Sequence, residues 1–294
     1  MANTPLKPRG STADFLADKV LRSLIFTLMQ LPYDQRIATM GRLVEHGIGP
    51  LVGYRKRAMS QLGSIFPDMG FEQRRKLAAK VCNNFGRTLI ENYSWPELHD
   101  RVKNTVPTGT GMSHISDARD AGRPILFVTG HYGNHEVPRH VLTELGYDIG
   151  GLYRPMGNPY FNDHYAKTMT SWGGPVFAQG KRGTMGFTRH LKKGGMGTLL
   201  FDVATSTGIP LNFLGKQALT ATSAADIAVR IDALVVPYFA RRCDDGLSFE
   251  VSVEAPIAHA NPAEMMQNMT DVLATQIRQD PAQWFWVHRR WKSY

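Results

Sequence analysis

Apolar residues recur at helical spacing through the first third of the chain. Over residues 14–31, leucine and valine repeat at every fourth position, and Pro32 follows the last of them. Over residues 71–93 the apolar positions again repeat in steps of four. Each pattern predicts an amphipathic helix. The first helix admits two interpretations, either a helix lying on a membrane surface or one packed against the protein core.

The pattern changes after Pro96, and from Gly122 short apolar runs alternate with helical stretches. The predicted strands are residues 125–128, 147–153, 197–203, 233–239 and 247–253, and the predicted helices between and after them are 135–145, 220–231 and 265–277. This alternation is typical of an α/β fold built on a layered sheet. We therefore divide the chain into a helical N-terminal extension (residues 1–95), whose first helix is the candidate for membrane association, and an α/β domain (residues 96–294).

The composition of the chain limits the kinds of molecule that it could bind. The 294 residues carry a formal charge of +9, which indicates an anionic partner such as a membrane surface, a phosphorylated lipid, an acidic carrier protein or nucleic acid. The basic residues are scattered and form no nucleic-acid module, which argues against nucleic acid. The two cysteines lie far apart, as expected for free thiols in a reducing cytosol. We expect residues 1–12 to be disordered, and we find no signal peptide or membrane-spanning stretch.

The side chains that are candidates for catalysis are concentrated in residues 125–136. A buried strand runs into a turn that contains two glycines, Gly130 and Gly133, and that carries His131, His135 and Glu136. Asn134 is placed to cap a following helix, residues 135–145, that ends before a glycine.

His131 and Glu136 can meet only if the chain turns between them. On a continuous helix they would stand about 140° apart, and on a strand they would be roughly 17 Å apart. Gly133 supplies the turn, and a carboxylate against the imidazole would let His131 take a proton from a hydroxyl group. The alternative is a structural histidine that caps the turn, with Glu136 favoured by the helix dipole.

His131 and His135 also have the spacing of a pair of metal ligands. The chain has no His-Glu-x-x-His motif, and its cysteines lack ligand spacing. We therefore predict no metal site.

The stretch His-Tyr-Gly-Asn-His-Glu at 131–136 resembles the HX4(D/E) motif of the glycerolipid acyltransferase superfamily. Four further blocks follow in order: Tyr-Arg-Pro at 153–155, Asp202 before the Gly-x-Pro-x-x-Phe-x-Gly block at 208–215, a Val-Pro strand at 236–237, and the tryptophan-rich block at 284–292. Together they look like the lipid A secondary acyltransferase branch, and the resemblance covers about residue 70 to the end.

The resemblance implies a mixed central sheet flanked by helices, and transfer of a fatty acyl group to a lipid hydroxyl. His131 would be the general base and Glu136 its orienting partner, while Arg154, Asp202 and Gly133 would line the substrate pocket. Turn amides near Gly133, or Arg154 itself, are the candidates for stabilising the oxyanion. Arg154 has a second interpretation as a side chain that ties a loop together.

The implied donor is acyl-carrier protein or acyl-CoA, with no metal and no bound cofactor. The implied acceptor is the free hydroxyl of a 3-hydroxyacyl chain on a lipid A precursor, at the cytoplasmic face of the bacterial inner membrane, where the enzyme would be peripheral or monotopic. Asp202 is followed by Val203 where the family usually has a polar residue, and the first helix is shorter and more charged than the usual anchor. A lyso-aminolipid of the lyso-ornithine type, or a lysophospholipid, therefore stays open as acceptor. The tryptophan-rich block either forms an interfacial belt or packs into the core.

Overall fold

The computed structural model describes residues 10–170 and 174–292. The segment predicted to be disordered therefore lies mostly outside the described residues. At the centre is a six-stranded sheet in the order β3-β2-β4-β1-β7-β8. All neighbouring pairs are parallel except β7 and β8, so the sheet is mixed, as predicted.

The first third of the described chain is helical. The helix α5 begins where the spacing predicts and ends two residues earlier, whereas α1 begins two residues before its predicted start. At that start, Ser11 and Asp14 form a reciprocal capping box. The helices are α1 (Thr12–Met29), α2 (Tyr33–Leu43), a π-helical turn (Val44–Ile48), α3 (Gly49–Leu51), α4 (Tyr54–Ile65), α5 (Phe71–Glu91), α6 (Trp95–Val102) and α7 (Gly111–Asp120).

The remainder alternates strands and helices. Its elements are β1 (Ile125–Thr129), α8 (Val137–Glu144), β2 (Ile149–Tyr153), α9 (Pro159–Thr170), β3 (Val176–Ala178), α10 (Lys181–Lys192), β4 (Met196–Leu200), β5 (Ala204–Phe213), β6 (Lys216–Thr220), α11 (Ser223–Ile231), β7 (Leu234–Arg242), β8 (Phe249–Val253) and α12 (Pro262–Gln279), with a short 3₁₀ turn (Pro281–Gln283) after them. The strands β5 and β6 form a separate antiparallel hairpin. Both residues of its two-residue loop, Leu214 and Gly215, have positive φ, as in a type I′ turn.

The strand β1 is buried on both faces, which explains its unbroken apolar run. Leu126 and Val128 face a cluster that includes α11 and α12, while Ile125 and Phe127 face a second cluster under α7 and α8. Successive side chains of a strand point to opposite faces, so the apolar side chains of β1 pack against the helices on both faces of the sheet.

The register of β1 and β4 brings two distant loops together. The two strands are parallel neighbours, and Thr129 at the end of β1 lies opposite Leu200 at the end of β4. The residues that follow each strand, His131 and Asp202, therefore leave the same carboxyl edge of the sheet side by side. In open α/β sheets this edge is where ligands bind.

The N-terminal helices pack closely on the remainder of the chain. One apolar cluster joins residues of α1, α2 and α5 to residues of α8, α9, β7 and β8. The boundary at residues 95 and 96 stays a prediction. Among the described residues, no helix combines the length and the apolar content needed to cross a membrane.

The helix α1 has apolar residues on two sides. Ile25 and Leu28 are buried, but four large apolar side chains remain exposed. They are Phe15, Leu16, Val20 and Phe26. The predicted stripe therefore divides, because its first half faces solvent and its second half joins the core.

Candidate active site

The imidazole of His131 is held by the carboxylate of Asp202. Nδ1 of His131 lies 2.8 Å from Oδ1 of Asp202, and the backbone N–H of His131 donates to Oδ2 at 2.8 Å. Trp284 donates its indole N–H to the same Oδ2 at 2.9 Å. With Asp202 ionised, Nδ1 carries the proton and Nε2 keeps a free lone pair.

Asp202 is buried and His131 is partly exposed, as proton transfer between His131 and a substrate requires. Asp202 is 3% exposed, whereas the side chain of His131 is 33% exposed. The carboxylate is therefore shielded, while part of the imidazole can reach a bound substrate.

Electrostatics favour an ionised Asp202 and a basic His131. Burial alone would lower the pKa of His131, but the charge and hydrogen bond of Asp202, with the charge of Glu136, outweigh it and raise that pKa above 6.5. Burial would raise the pKa of Asp202, but His131 and the hydrogen-bond donors hold it well below its usual range.

The predicted contact between His131 and Glu136 is not formed. Among the described residues, no hydrogen bond or ion pair joins them. The carboxylate of Glu136 lies 3.8 Å from Nη1 of Arg139 and 3.9 Å from Nε2 of His135. The turn directs Glu136 away from the imidazole, so it acts on His131 through its charge alone. Burial raises the pKa of Glu136 itself.

Two further histidines flank the imidazole of His131. The ring centroids of His135 and His288 lie 5.3 and 6.1 Å from that of His131. Burial lowers the pKa of His135 to about 3 and that of His288 to about 4. Both are neutral at physiological pH, so His131 is the one basic member of this trio.

The turn itself requires glycine at position 133. Gly133 has a φ of +54°, and a Cβ there would collide with the carbonyl oxygen of Ala240. Its N–H donates to the carbonyl of Gln283 at 2.9 Å. That amide, which the sequence offers as an oxyanion donor, is therefore already used, and the glycine serves the conformation of the turn.

A buried ion pair holds the next part of the turn. Glu91 of α5 pairs with Arg242 of β7 through both carboxylate oxygens, one contact being 2.7 Å. The side chain of Asn134 donates to Glu91 at 2.9 Å and accepts from the N–H of Glu136 at 3.1 Å. Asn134 therefore caps the turn rather than the helix, and α8 begins two residues later than predicted.

The ion pair belongs to a row of polar contacts along α5. Asn84 donates to the carbonyl of Ala282 at 3.0 Å, and Thr88 donates to that of Gly133 at 3.2 Å. With Glu91 they follow helical spacing on one face of α5, and we call them the polar stripe. Through it the N-terminal helices hold the turn that carries His131.

Arg154 follows β2 at the same carboxyl edge. The strand β4 separates β2 from β1, so Arg154 starts two strand spacings from His131, roughly 10 Å. Its side chain is exposed and has no hydrogen bond or ion pair with any described residue. The interpretation of Arg154 as a side chain that ties a loop together, which included a bond to Glu136, is not supported by any contact among the described residues.

The tryptophan-rich block packs into the core and does not form an exposed belt. Trp284 and Trp286 are 1% and 0% exposed, and Trp284 stands edge-on to Phe213 at 5.4 Å. The N–H of Phe285 donates to the carbonyl of His131 at 3.0 Å. This block therefore forms one wall of the candidate site.

Metal-ligand geometry was the other interpretation of His131 and His135. Over residues 10–170 and 174–292, no group of three or more His, Cys, Asp or Glu side chains is arranged to hold a metal ion. The absence of a metal from the mechanism stays a prediction.

Several residues that surround or support His131 and its turn were not recognised from the sequence, chiefly Glu91, Arg242, Gln283, Trp284 and His288. The available signal for Glu91 was its helical spacing from Asn84 and Thr88, which makes a polar row on one face of α5. The tryptophan-rich block was recognised, but its contact with the turn that carries His131 was not.

Comparison with known proteins identifies the family of this chain. A family model described as bacterial lipid A biosynthesis acyltransferase matches residues 17–293. The lipid A biosynthesis lauroyltransferase of Escherichia coli (strain K12) is 28% identical over 289 residues, covering 92% of this chain and 89% of the relative. The lipid A biosynthesis palmitoleoyltransferase of the same strain is 22% identical over 281 residues, with 92% and 89% covered.

A relative from another organism gives the same assignment. A lipid A biosynthesis acyltransferase of Haemophilus influenzae (strain ATCC 51907 / DSM 11121 / KW20 / Rd) is 22% identical over 239 residues, covering 79% of this chain and 74% of the relative. The order of blocks in the sequence, the mixed α/β sheet and the family match lead to one conclusion. This chain is an acyltransferase enzyme that belongs to the bacterial lipid A biosynthesis acyltransferase family.

Proposed function

We propose that this enzyme moves a fatty acyl group from a thioester donor to the free hydroxyl of a 3-hydroxyacyl chain on a lipid A precursor. His131 is the general base, and Asp202 orients it. The observation that carries the proposal is the 2.8 Å contact between Nδ1 of His131 and Asp202, on an imidazole that remains one-third exposed at the carboxyl edge of the sheet.

The reaction needs a base because an alcohol is a poor nucleophile at neutral pH. Nε2 of His131 takes the hydroxyl proton as the oxygen attacks the thioester carbonyl. The tetrahedral intermediate then collapses, the carbon–sulfur bond breaks, and the imidazolium returns the proton to the leaving thiolate. Asp202 stabilises the imidazolium between these two transfers.

The intermediate carries a negative oxygen that needs donors. Arg154 is our candidate, because it is exposed, unpaired with any described residue, and attached to the same sheet edge. Glu136 contributes by raising the basicity of His131 through its charge. Neither role requires an acyl-enzyme intermediate, a metal ion or a bound cofactor.

The donor is acyl-carrier protein or acyl-CoA, both anionic, and the chain's +9 charge suits either. The relatives' names support a lipid A precursor as acceptor. We place the enzyme at the cytoplasmic face of the bacterial inner membrane as a peripheral protein. The exposed apolar side chains of α1 are suited to the interface between head groups and acyl chains.

The test is an acyl-transfer assay with purified protein. Acyl-carrier protein and CoA thioesters of one fatty acid are supplied in parallel to a lipid A precursor and to a lyso-ornithine lipid, and mass spectrometry detects the gain of one acyl group. We expect transfer to the lipid A precursor, and a loss of about 10²–10⁴-fold in His131→Ala.

His114→Ala is the matched control, because that side chain is exposed on α7 and is not one of the residues of the candidate site. It is expected to retain full activity. Unchanged turnover in His131→Ala would remove the imidazole from the mechanism. Acylation of the lyso-ornithine lipid alone would replace the proposed acceptor with the aminolipid alternative.

A further inference from the structure

A groove in the N-terminal helices is lined by three cations. It has a volume of about 500 Å³ and lies between α4 and the start of α5. Arg55 and Lys56 come from α4 and Arg74 from α5, while Met59 and Phe71 add apolar surface. We call it the basic groove.

The three cations have no acidic partner among the described residues. No carboxylate of residues 10–170 or 174–292 forms an ion pair with Arg55, Lys56 or Arg74, and the buried Nε of Arg74 has no hydrogen-bond acceptor. Glu72, next to the groove, pairs with Arg75 at 2.7 Å. A buried N–H without an acceptor is costly, and an anion that enters the groove and draws the Arg74 guanidinium toward it would satisfy that N–H.

The guanidinium of Arg74 lies against Gly63 of α4. Gly63 lies in the interior of α4, and a Cβ there would overlap Nη1 of Arg74. Glycine is a poor helix former in such a position, so the local sequence gives up helix stability at the point where Arg74 lies.

Exposed apolar side chains stand beside the cations. Leu51 is 87% exposed, Phe71 is 61% exposed and Val52 is 48% exposed. Cations beside exposed apolar side chains match an anionic membrane surface, where apolar groups enter the acyl boundary and cations meet phosphates.

The opposite side of α4 holds the wall of the catalytic site. Arg57 donates to the carbonyl of Val287 at 3.3 Å, and Gln61 donates to that of His288 at 2.5 Å. On a helical wheel, positions 55, 56, 59 and 60 occupy one half, and 57 and 61 the other. One helix therefore separates the basic groove from the residues beside His131.

We propose that the basic groove binds the phosphate of an anionic phospholipid in the membrane surface, with Leu51, Val52 and Phe71 entering the bilayer beside it. This inference rests on the proposed function, since an enzyme that acylates a membrane lipid must hold its site against the bilayer. The groove adds a docking site distinct from the exposed side of α1.

The test is vesicle cosedimentation with the full-length chain and without donor or acceptor. Vesicles of phosphatidylcholine, with or without phosphatidylglycerol, are the probe. We expect preference for the anionic vesicles, a loss of about fivefold for each cation changed to glutamine, and about 100-fold for the triple variant Arg55→Gln, Lys56→Gln and Arg74→Gln. Added salt is expected to weaken binding of the native chain.

Two further variants sharpen the test. Gly63→Ala keeps every charge and introduces a better helix former, but its Cβ displaces the guanidinium of Arg74. We therefore expect about a fivefold loss of binding to anionic vesicles. Arg189→Gln with Lys192→Gln removes two cations from the distant helix α10 and is the matched control, expected to bind like the native chain. Thermal melting verifies that each variant is folded.

Three outcomes would overturn the inference. The triple variant could bind anionic vesicles as well as the native chain does, or the α10 control could lose as much binding per charge removed. Alternatively, the triple variant could bind vesicles normally and instead raise the KM for a micellar acceptor, which would assign the groove to the substrate's own phosphate. Failure of the proposed function would be seen separately: the native chain would bind anionic vesicles as expected but would transfer no acyl group to the lipid A precursor.

Discussion

Replacing Asp202 with asparagine should reverse the tautomer of His131. Oδ2 of Asp202 accepts two N–H groups, from the backbone of His131 at 2.8 Å and from Trp284 at 2.9 Å. An asparagine at 202 therefore places its carbonyl oxygen there. The opposite orientation would leave two buried N–H donors facing an NH₂ group, at about 1–3 kcal/mol each, or about 2–6 kcal/mol together.

The NH₂ group of that asparagine then points at Nδ1 of His131. Nδ1 must accept, the proton moves to Nε2, and the base that faces the substrate is lost. The corresponding change in Ser-His-Asp enzymes lowers kcat about 10⁴-fold, which corresponds to about 5.5 kcal/mol in the transition state. We expect Asp202→Asn to lower kcat by about 10³–10⁴-fold with little change in KM.

The assay is the initial rate of acyl transfer, with thermal melting to verify folding. Glu136→Gln is the matched control, since it removes a neighbouring carboxylate that has no hydrogen bond to His131. We expect it to lose less than about tenfold, because only a field effect disappears. A loss below tenfold in Asp202→Asn, or an equal loss in both variants, would refute the assignment of Asp202 as the orienting residue.

Three further expectations follow from the same contacts. Asp202 and Glu136 raise the pKa of His131, and the base must be neutral to act, so the acidic limb of kcat/KM should have its midpoint above pH 6.5 in the native enzyme. A pH–rate profile measures this midpoint, and a value below 6.5 would contradict the assignment. Arg242→Met leaves Glu91 buried without its partner and should lower Tm by roughly 6–20 °C in a melting experiment, with partial recovery in the double variant that adds Glu91→Leu; an unchanged Tm would mean that the pair adds no stability. Gly133→Ala should lower both Tm and kcat, since its Cβ meets the Ala240 carbonyl and its φ is positive, and full activity would show that the turn tolerates a shift.

Much of the framework could be read from the sequence because it depends on local periodicity. The strand before His131 and the α/β alternation were predicted correctly. The first and fifth helices were placed within two residues at each end. The family blocks also placed Asp202 at a strand end. These features need only the spacing of apolar residues and the positions of glycine and proline.

The partner of the imidazole could not be found that way. Asp202 is 71 residues from His131 along the chain, and only the order of β1 and β4 in the sheet makes them neighbours. Reasoning from spacing favoured Glu136, which is close in sequence but directed toward Arg139. Nor could periodicity distinguish a membrane belt from a core wall in the tryptophan-rich block, because both have alternating aromatic and basic residues.

The polar stripe of α5 has a consequence for exchanging parts between relatives. Its contacts join residues 84, 88 and 91 to parts of the chain beyond the predicted boundary at 95. A chimaera joined at that boundary inherits the two halves of one buried ion pair from different parents. Such hybrids should be active only when the residues equivalent to Glu91 and Arg242 come from the same parent, or when both parents have the same pair.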